Sequence, residues 1–324
     1  MSASTTTEVA TRKQAVDWTR WLRDNGVYAA LVLLLVFNLV FTSNFLTADN
    51  LRTQLVQAAP VVVVALGMAL VIGTEGVDLS VGAVMALAAA VVPLYLGYGV
   101  VVAVLLALAA GLVAGLVNGT LVAWIGVQPI VATLALFVGG RGLALVLADG
   151  QLKSISDSTF LSLGSGELLG VPYVVLTALV VALVVGFLVR RTTFGRQLVA
   201  VGGNRRASQL SGLPVRRLLL GTYVICGVLA AIAGIRATAR LQASDPSSIG
   251  LLFELYAITA VVVGGTPLSG GKVRVLGTIA GALLMQLIDA TLVKHNISDS
   301  WSQMAQAVII VAAVYLQLGR RRKG

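Results

Sequence analysis

Long apolar runs, broken by glycine, proline and short polar clusters, occupy most of the chain beyond residue 26. An α-helix rises ~1.5 Å per residue, so ~20 apolar residues in succession cross a hydrocarbon core of ~30 Å. Dividing the runs at their breakers predicts about ten helices: 27–45, 60–73, 80–97, 100–126, 128–148, 172–189, 218–239, 252–263, 275–293 and 301–318. The pattern is that of an all-α, polytopic membrane helical bundle. The second and eighth runs are short for a span, as broken or re-entrant segments shielded by neighbouring helices would be. Residues 1–26 form a polar tail, 27–319 a transmembrane domain and 320–324 a basic tail. The first apolar run lacks a small-residue cleavage pattern and is read as an uncleaved helix.

One central stretch breaks the pattern. Residues 190–217 carry seven arginines and no acidic residue, and apolar runs flank them on both sides. Because Lys and Arg collect on the cytoplasmic side of membrane proteins, this is read as a cytoplasmic loop, where a soluble partner can act on the membrane part. With an even number of spans both termini are cytoplasmic. That side then receives four basic residues in the N-terminal tail, seven in the central stretch, Lys272 and Arg274, and four from Arg320 to Lys323, which is 17 of the 23 Lys and Arg. Segment 149–171, with Lys153 against Asp149, Asp157 and Glu167, falls outside. Separating the first helix leaves two groups of spans about the loop, which could pair with opposite topology.

Composition agrees. Hydrophobic residues make up 58 % of the 324, charged residues 11 %, and the mean hydropathy is +0.95, outside the balance of a soluble domain. The net charge of +10 is accounted for by loops facing an anionic leaflet, and no aromatic-rich basic surface points to nucleic acid. A single cysteine, Cys226, and a single histidine, His295, exclude an internal disulfide and a cysteine or multi-histidine metal cluster. No cofactor motif is present. Segment 264–273, GGTPLSGGKV, resembles a phosphate-binding loop but has Thr266 where the first glycine belongs and Val273 after the lysine, so a tight turn is expected. Without an HExxH or nucleophile-elbow motif, the chain carries no evident chemistry of its own.

The remaining polar residues at membrane depth need partners or a water-lined path. Asp78 in GTEGVDLSVG, where the second run hands over to the third on the cytoplasmic side, is expected to cap a helix start or shape a gate, and direct contact with substrate is the other reading. Arg141 reads equally as an ion-pair partner or as part of a polar pathway. Asn118 is expected to bond between helices, and Asp289 lies within the ninth run. Glycines 111, 115 and 119, and likewise 277 and 281, recur every four residues, which suits close helix packing within the chain or, less readily, a subunit contact. In the central stretch, GNRRASQLSGLPV predicts a short amphipathic helix with Asn204 as N-cap, Ala207 and Leu210 on one face, and a stop at Gly212 and Pro214.

These residues resemble the permease subunits of bacterial ATP-binding-cassette importers of the ribose type. The resemblance is carried by GVDLSVGAVMAL, GLVNGTLVAWIGVQPIVATL, RGLALVLADGQ, TTFGRQLVAVGGNRRASQLSGLPV, AGIRATARLQ and ELYAITAVVVGGTPLSGGKVRVLGTIAGAL, in order, over most of residues 60–316. The C-terminal part is most similar to the galactofuranose-type branch. The family usually has glycine in place of Glu75 and an acidic residue in place of Tyr256. The resemblance implies that 202–215 is the segment docking into the ATPase subunit, with Asn204, Arg205, Arg206, Ala207, Ser208, Leu210 and Gly212 as its coupling residues. It also implies a second permease chain, an extracytoplasmic sugar-binding protein, a sugar as cargo and residence in the bacterial inner membrane. A gradient-driven carrier using Asp78, Arg141 or Asp289 is the reading from another class.

Overall fold

The computed structural model describes residues 18–297, with side chains from Asn25, and helical positions 300, 301, 303, 304, 307, 308 and 311. The expected tenth helix, 301–318, therefore lies largely outside the described residues, as do most of the N-terminal tail and the basic C-terminal tail. The helices are α1 (Trp18–Phe41), α2 (Ala48–Gly73), α3 (Val81–Tyr95), α4 (Val100–Thr120), α5 (Pro129–Leu147), α6 (Ser158–Ser165), α7 (Tyr173–Arg191), α8 (Thr193–Gly203), α9 (Arg205–Leu210), α10 (Val215–Leu241), α11 (Phe253–Val263) and α12 (Val275–Lys294). Seven are long and apolar enough to span a membrane: α2, α3 with its extension to Tyr98, α4 with a wider turn to Ile125, α5, α7, α10 and α12. The apolar part of α1, Asn25–Phe41, and α11 are shorter.

The second helix was expected at 60–73 and is instead 26 residues long. Its first turns hold Asp49, Arg52, Gln54 and Gln57, which interrupt the apolar run without interrupting the helix. Thr47 caps its start by accepting from the Asn50 amide, and Pro60 is accommodated in its interior. It is no re-entrant fragment but a central helix, buried from Ala58 to Gly73. The short reading holds for α11, whose 11 residues rise ~16 Å, about half a hydrocarbon core.

Two long helices organise the bundle. α10 packs on α4, α2 and α3, whereas α2 packs on α10, α12 and α11; α3 leans on α4 just as α11 leans on α12. Each unit is thus a long helix, an irregular linker, a short helix and a third helix, with the short helix of one set against the long helix of the other. α2 ends where α8 and the 264–274 turn sit, and α10 begins at that same end, so the two run antiparallel. This is the expected pairing of opposite halves.

Glycines set the closeness. A Cβ on Gly115 would lie 2.6 Å from the Tyr223 carbonyl oxygen and the Val224 Cα, and one on Gly111 would lie 2.5 Å from Ala231 Cβ. Gly277 and Gly281 meet the backbones of Gly264 and Ala260 in the same way. Both stripes therefore serve packing inside the chain. Apolar attraction between helices is weak in lipid, and close backbone approach supplies the dispersion energy in its place.

At the end opposite α8, two short antiparallel pairs close the bundle: β1 (Lys153–Ser154) with β4 (Ala243–Ser244), and β2 (Glu167–Leu168) with β3 (Val171–Pro172). An Arg52–Glu167 ion pair ties the second of these to the start of α2. Arg236, near this end of α10, donates to the Leu163 carbonyl.

Candidate functional site

The arginine-rich stretch is helical rather than a loop. Thr192 caps α8 by accepting from Gly195 N, and Asn204 Oδ1 accepts from Ala207 N at 2.9 Å, starting α9 where the sequence predicts it. The Gly212 and Leu213 amides donate to the Gln209 and Ser208 carbonyls, and Gly212 takes φ +78°, a left-handed stop that glycine adopts without penalty. Pro214 then precedes α10.

The result is a short, doubly closed helix projecting from the bundle. Arg205, Arg206, Ala207, Gln209 and Leu210 are exposed, and Leu210 keeps 84 % of its surface open. Ser208, expected among the coupling residues, is buried against the bundle in this chain. Among the described residues, no carboxylate pairs with Arg205 or Arg206 within salt-bridge distance.

Asp78 and Asn118 are brought together deep in the bundle. Asp78 Oδ1 accepts from Ser80 N at 2.9 Å and Ser80 Oγ at 2.6 Å, and Asn118 Nδ2 reaches Ser80 Oγ at 2.8 Å. The expected capping role holds, shifted: Asp78 closes the turn before α3, whose N-cap position is Ser80. The expected location at the cytoplasmic edge does not hold. The Cys226 thiol lies beside Asp78, eleven residues into α10 or ~16 Å along it, so linker 74–80 climbs back into the bundle.

Linker 242–252 does the same from the other end. It leaves the β1–β4 pair and descends until Gly250 meets Gly82 and Met85. Arg141, from α5, clamps it by donating Nη1 to the Pro246 and Ile249 carbonyls at 2.8 and 2.9 Å. At its crest, Asp245 accepts from the Ser247 and Ser248 hydroxyls, which hold its carboxyl below the usual range. The starts of α3 and α11 therefore meet inside the bundle. A Cβ on Gly82 would lie 2.6 Å from Glu254 Oε2, placing a buried carboxylate against the positive end of α3. Sequence reasoning gave Glu254 no such role, although an acidic residue opening a short apolar helix was the available signal.

Glu75 takes φ +67°, a left-handed backbone that explains why the resemblance expects glycine there.

Apolar spans that bury their few charges inside the bundle, two re-entrant linkers and a rigid basic helix at one end define a multi-pass membrane transport protein. The chain belongs to the family described as "Branched-chain amino acid transport system / permease component", which matches residues 50–314. It is similar to the fructose import permease protein FruF of Bifidobacterium longum, 37 % identical over 304 residues that cover 89 % of this chain and 85 % of the relative. The galactofuranose transporter permease protein YtfT of Escherichia coli is 40 % identical over 266 residues, 82 % of this chain and 78 % of the relative. The ribose import permease protein RbsC of Escherichia coli is 38 % identical over 300 residues, 91 % of this chain and 93 % of the relative. No solved structure matches the chain significantly.

Proposed function

We propose that this chain is the membrane-spanning permease of an ATP-driven importer of a pentose or hexose in the bacterial inner membrane. An extracytoplasmic binding protein delivers the sugar, and a separate ATPase subunit supplies the energy. The family description names branched-chain amino acids, whereas similar permeases are named for fructose, galactofuranose, ribose and allose; their identity over most of this chain favours a sugar. In this reading the arginine-rich end is cytoplasmic, both termini lie on that side, and a second permease chain completes the path.

The observation that carries the coupling role is α9 itself. A six-residue helix closed at both ends, with Ala207 and a bare Leu210 pointing outward, leaves its apolar face uncovered among the described residues. Arg205 and Arg206 add charge with which to orient a partner, and Gly212 lets the chain turn sharply back into α10. ATP-driven motion of the ATPase subunit displaces α9, and the bundle alternates its access. Asp78 and Asn118 hold the linker before α3, and Arg141 holds the linker before α11, so these residues shape the gate rather than grip the sugar.

The test is uptake of radiolabelled ribose, fructose and galactose into proteoliposomes holding this chain with its candidate ATPase and binding protein, with ATP inside and no ion gradient. ATP-dependent uptake that requires the binding protein supports the reading. Uptake by this chain alone, driven by an imposed proton or sodium gradient, overturns it.

A further inference from the structure

At the arginine-rich end, three segments meet through their main chains. The last residue of α2, Gly73, offers its carbonyl to the Gly271 amide at 3.0 Å. Gly202, next to last in α8, lies so close that a Cβ there would overlap the Gly73 carbonyl oxygen and stand 2.6 Å from the Gly271 nitrogen. Gly270, at φ +72°, would place a Cβ 2.8 Å from both the Glu75 nitrogen and the Gly202 carbonyl oxygen. The neighbouring Gly203 would meet nothing within 4 Å. A side chain is thus excluded at Gly202 and has room at Gly203, although the Gly203 backbone also lies against Gly271.

The location matters as much as the closeness. α8 passes directly through Asn204 into α9. From Gly73 the chain enters the linker that leads to α3, and the 264–274 turn is the continuation of α11. Linker 74–80 therefore runs from this point to the start of α3, and α11 ends at it, while the starts of both helices meet at Gly82, Gly250 and Glu254. Side chains in a contact can change rotamer and absorb a small displacement; main chains at van der Waals distance cannot.

We propose that the Gly73–Gly202–Gly271 contact is the rigid junction through which displacement of α9 reaches the linker before α3 and the end of α11, and that Gly202 is its positioning residue. The proposal rests on α9 being the docking element for the ATPase. A methyl group at Gly202 must part α8 from α2 before it reaches ordinary contact of 3.4–4 Å. Such a gap breaks the mechanical link while leaving the exposed face of α9 as it was.

The experiment compares Gly202→Ala with Gly139→Ala, a helical glycine of α5 whose Cβ would meet nothing within 4 Å, in the reconstituted complex of permease, ATPase and binding protein. It measures ATPase co-purification, ATP hydrolysis and uptake of radiolabelled ribose and fructose. Gly139→Ala is expected to match wild type. Gly202→Ala is expected to keep ATPase binding and hydrolysis within threefold while uptake falls at least tenfold, so the ratio of sugar moved to ATP spent collapses. A merely structural role would lower all three readings together. Uptake by Gly202→Ala equal to wild type, or the same loss in both variants, overturns the proposal.

If Gly202→Ala does not assemble, Gly73→Ala decides. A Cβ there would first meet Cγ2 of Val273, a β-branched side chain with little rotamer freedom to yield, and then Cδ2 of Leu198. Its ratio should fall, and adding Val273→Ala should restore it. An unaffected Gly73→Ala, or a loss that Val273→Ala leaves unchanged, overturns the junction. Failure of the wild-type complex to take up sugar with ATP would instead remove the importer reading beneath it.

Discussion

Replacing Leu210 with alanine separates docking from folding. Its side chain is 84 % exposed in the isolated chain, so truncation removes almost no internal contact. If α9 inserts into an apolar cleft of the ATPase, the same side chain becomes buried there. Alanine lacks three of its carbons, each worth ~0.8 kcal/mol when buried, and incomplete burial brings the loss to about 2 kcal/mol. At 1.4 kcal/mol per factor of ten, the ATPase should bind roughly 30-fold more weakly. The assay is equilibrium binding of labelled ATPase subunit to permease in nanodiscs, paired with a thermal melt of the permease alone. Leu169→Ala, at the opposite end and 96 % exposed, is the matched control and should leave affinity unchanged. Weakening below threefold with an unchanged melt would refute the docking role of this face. A fall of several degrees in the melt would refute the premise that Leu210 is idle within the fold.

Other substitutions test the interior. Gly115→Leu drives a side chain into the Tyr223 and Val224 backbone and should cost at least 1–3 kcal/mol, seen as a lower melting temperature; Gly139→Ala, with nothing within 4 Å of its Cβ, should be neutral or raise it. Arg141→Met leaves the Pro246 and Ile249 carbonyls without their charged donor, a loss of about 1.5–3 kcal/mol, and should raise amide exchange over residues 245–252 by about 10- to 100-fold. Asp245 has a folded pKa below its unfolded value, so its contribution to that linker is complete at neutral pH and is lost as pH falls through the folded pKa, below 3.8. Exchange of the linker should therefore accelerate below pH 4, and Asp245→Asn should flatten that dependence; equal acceleration in the variant would sink the assignment.

Much of this protein is legible in its sequence because two strong signals require no tertiary information. Lipid forces every spanning segment to be apolar and internally hydrogen-bonded, so α3, α4, α5, α7, α10 and α12 lie within a few residues of where the apolar runs place them. α9 is legible because capping is local. Asn204 and Gly212 act on amides and carbonyls only three or four residues away, and their chemistry can be read from the string. The glycine stripes at 111–119 and 277–281 likewise announce close packing, although not against which helix.

The remainder was settled in three dimensions. The apolar run of α2 begins only at Pro60, yet a helix end emerging from the bundle tolerates Arg52, Gln54 and Gln57, and Gln57 accepts a hydrogen bond from Gln286 at 2.8 Å. Topology alone puts Asp78 at the cytoplasmic handover between two spans, whereas the linker folds inward and buries the carboxylate beside α4 and α10. Glu254 facing Gly82, and Gly202 facing Gly73, join residues more than 120 positions apart, and no local pattern encodes such contacts. Hydrophobicity and capping are properties of a segment and its solvent, so the sequence by itself determined which segments are apolar enough to cross a membrane and where the short basic helix begins and ends. Depth, and the partner of each buried charge or bare glycine, depend on how two antiparallel units close around each other, and only the tertiary structure decided them.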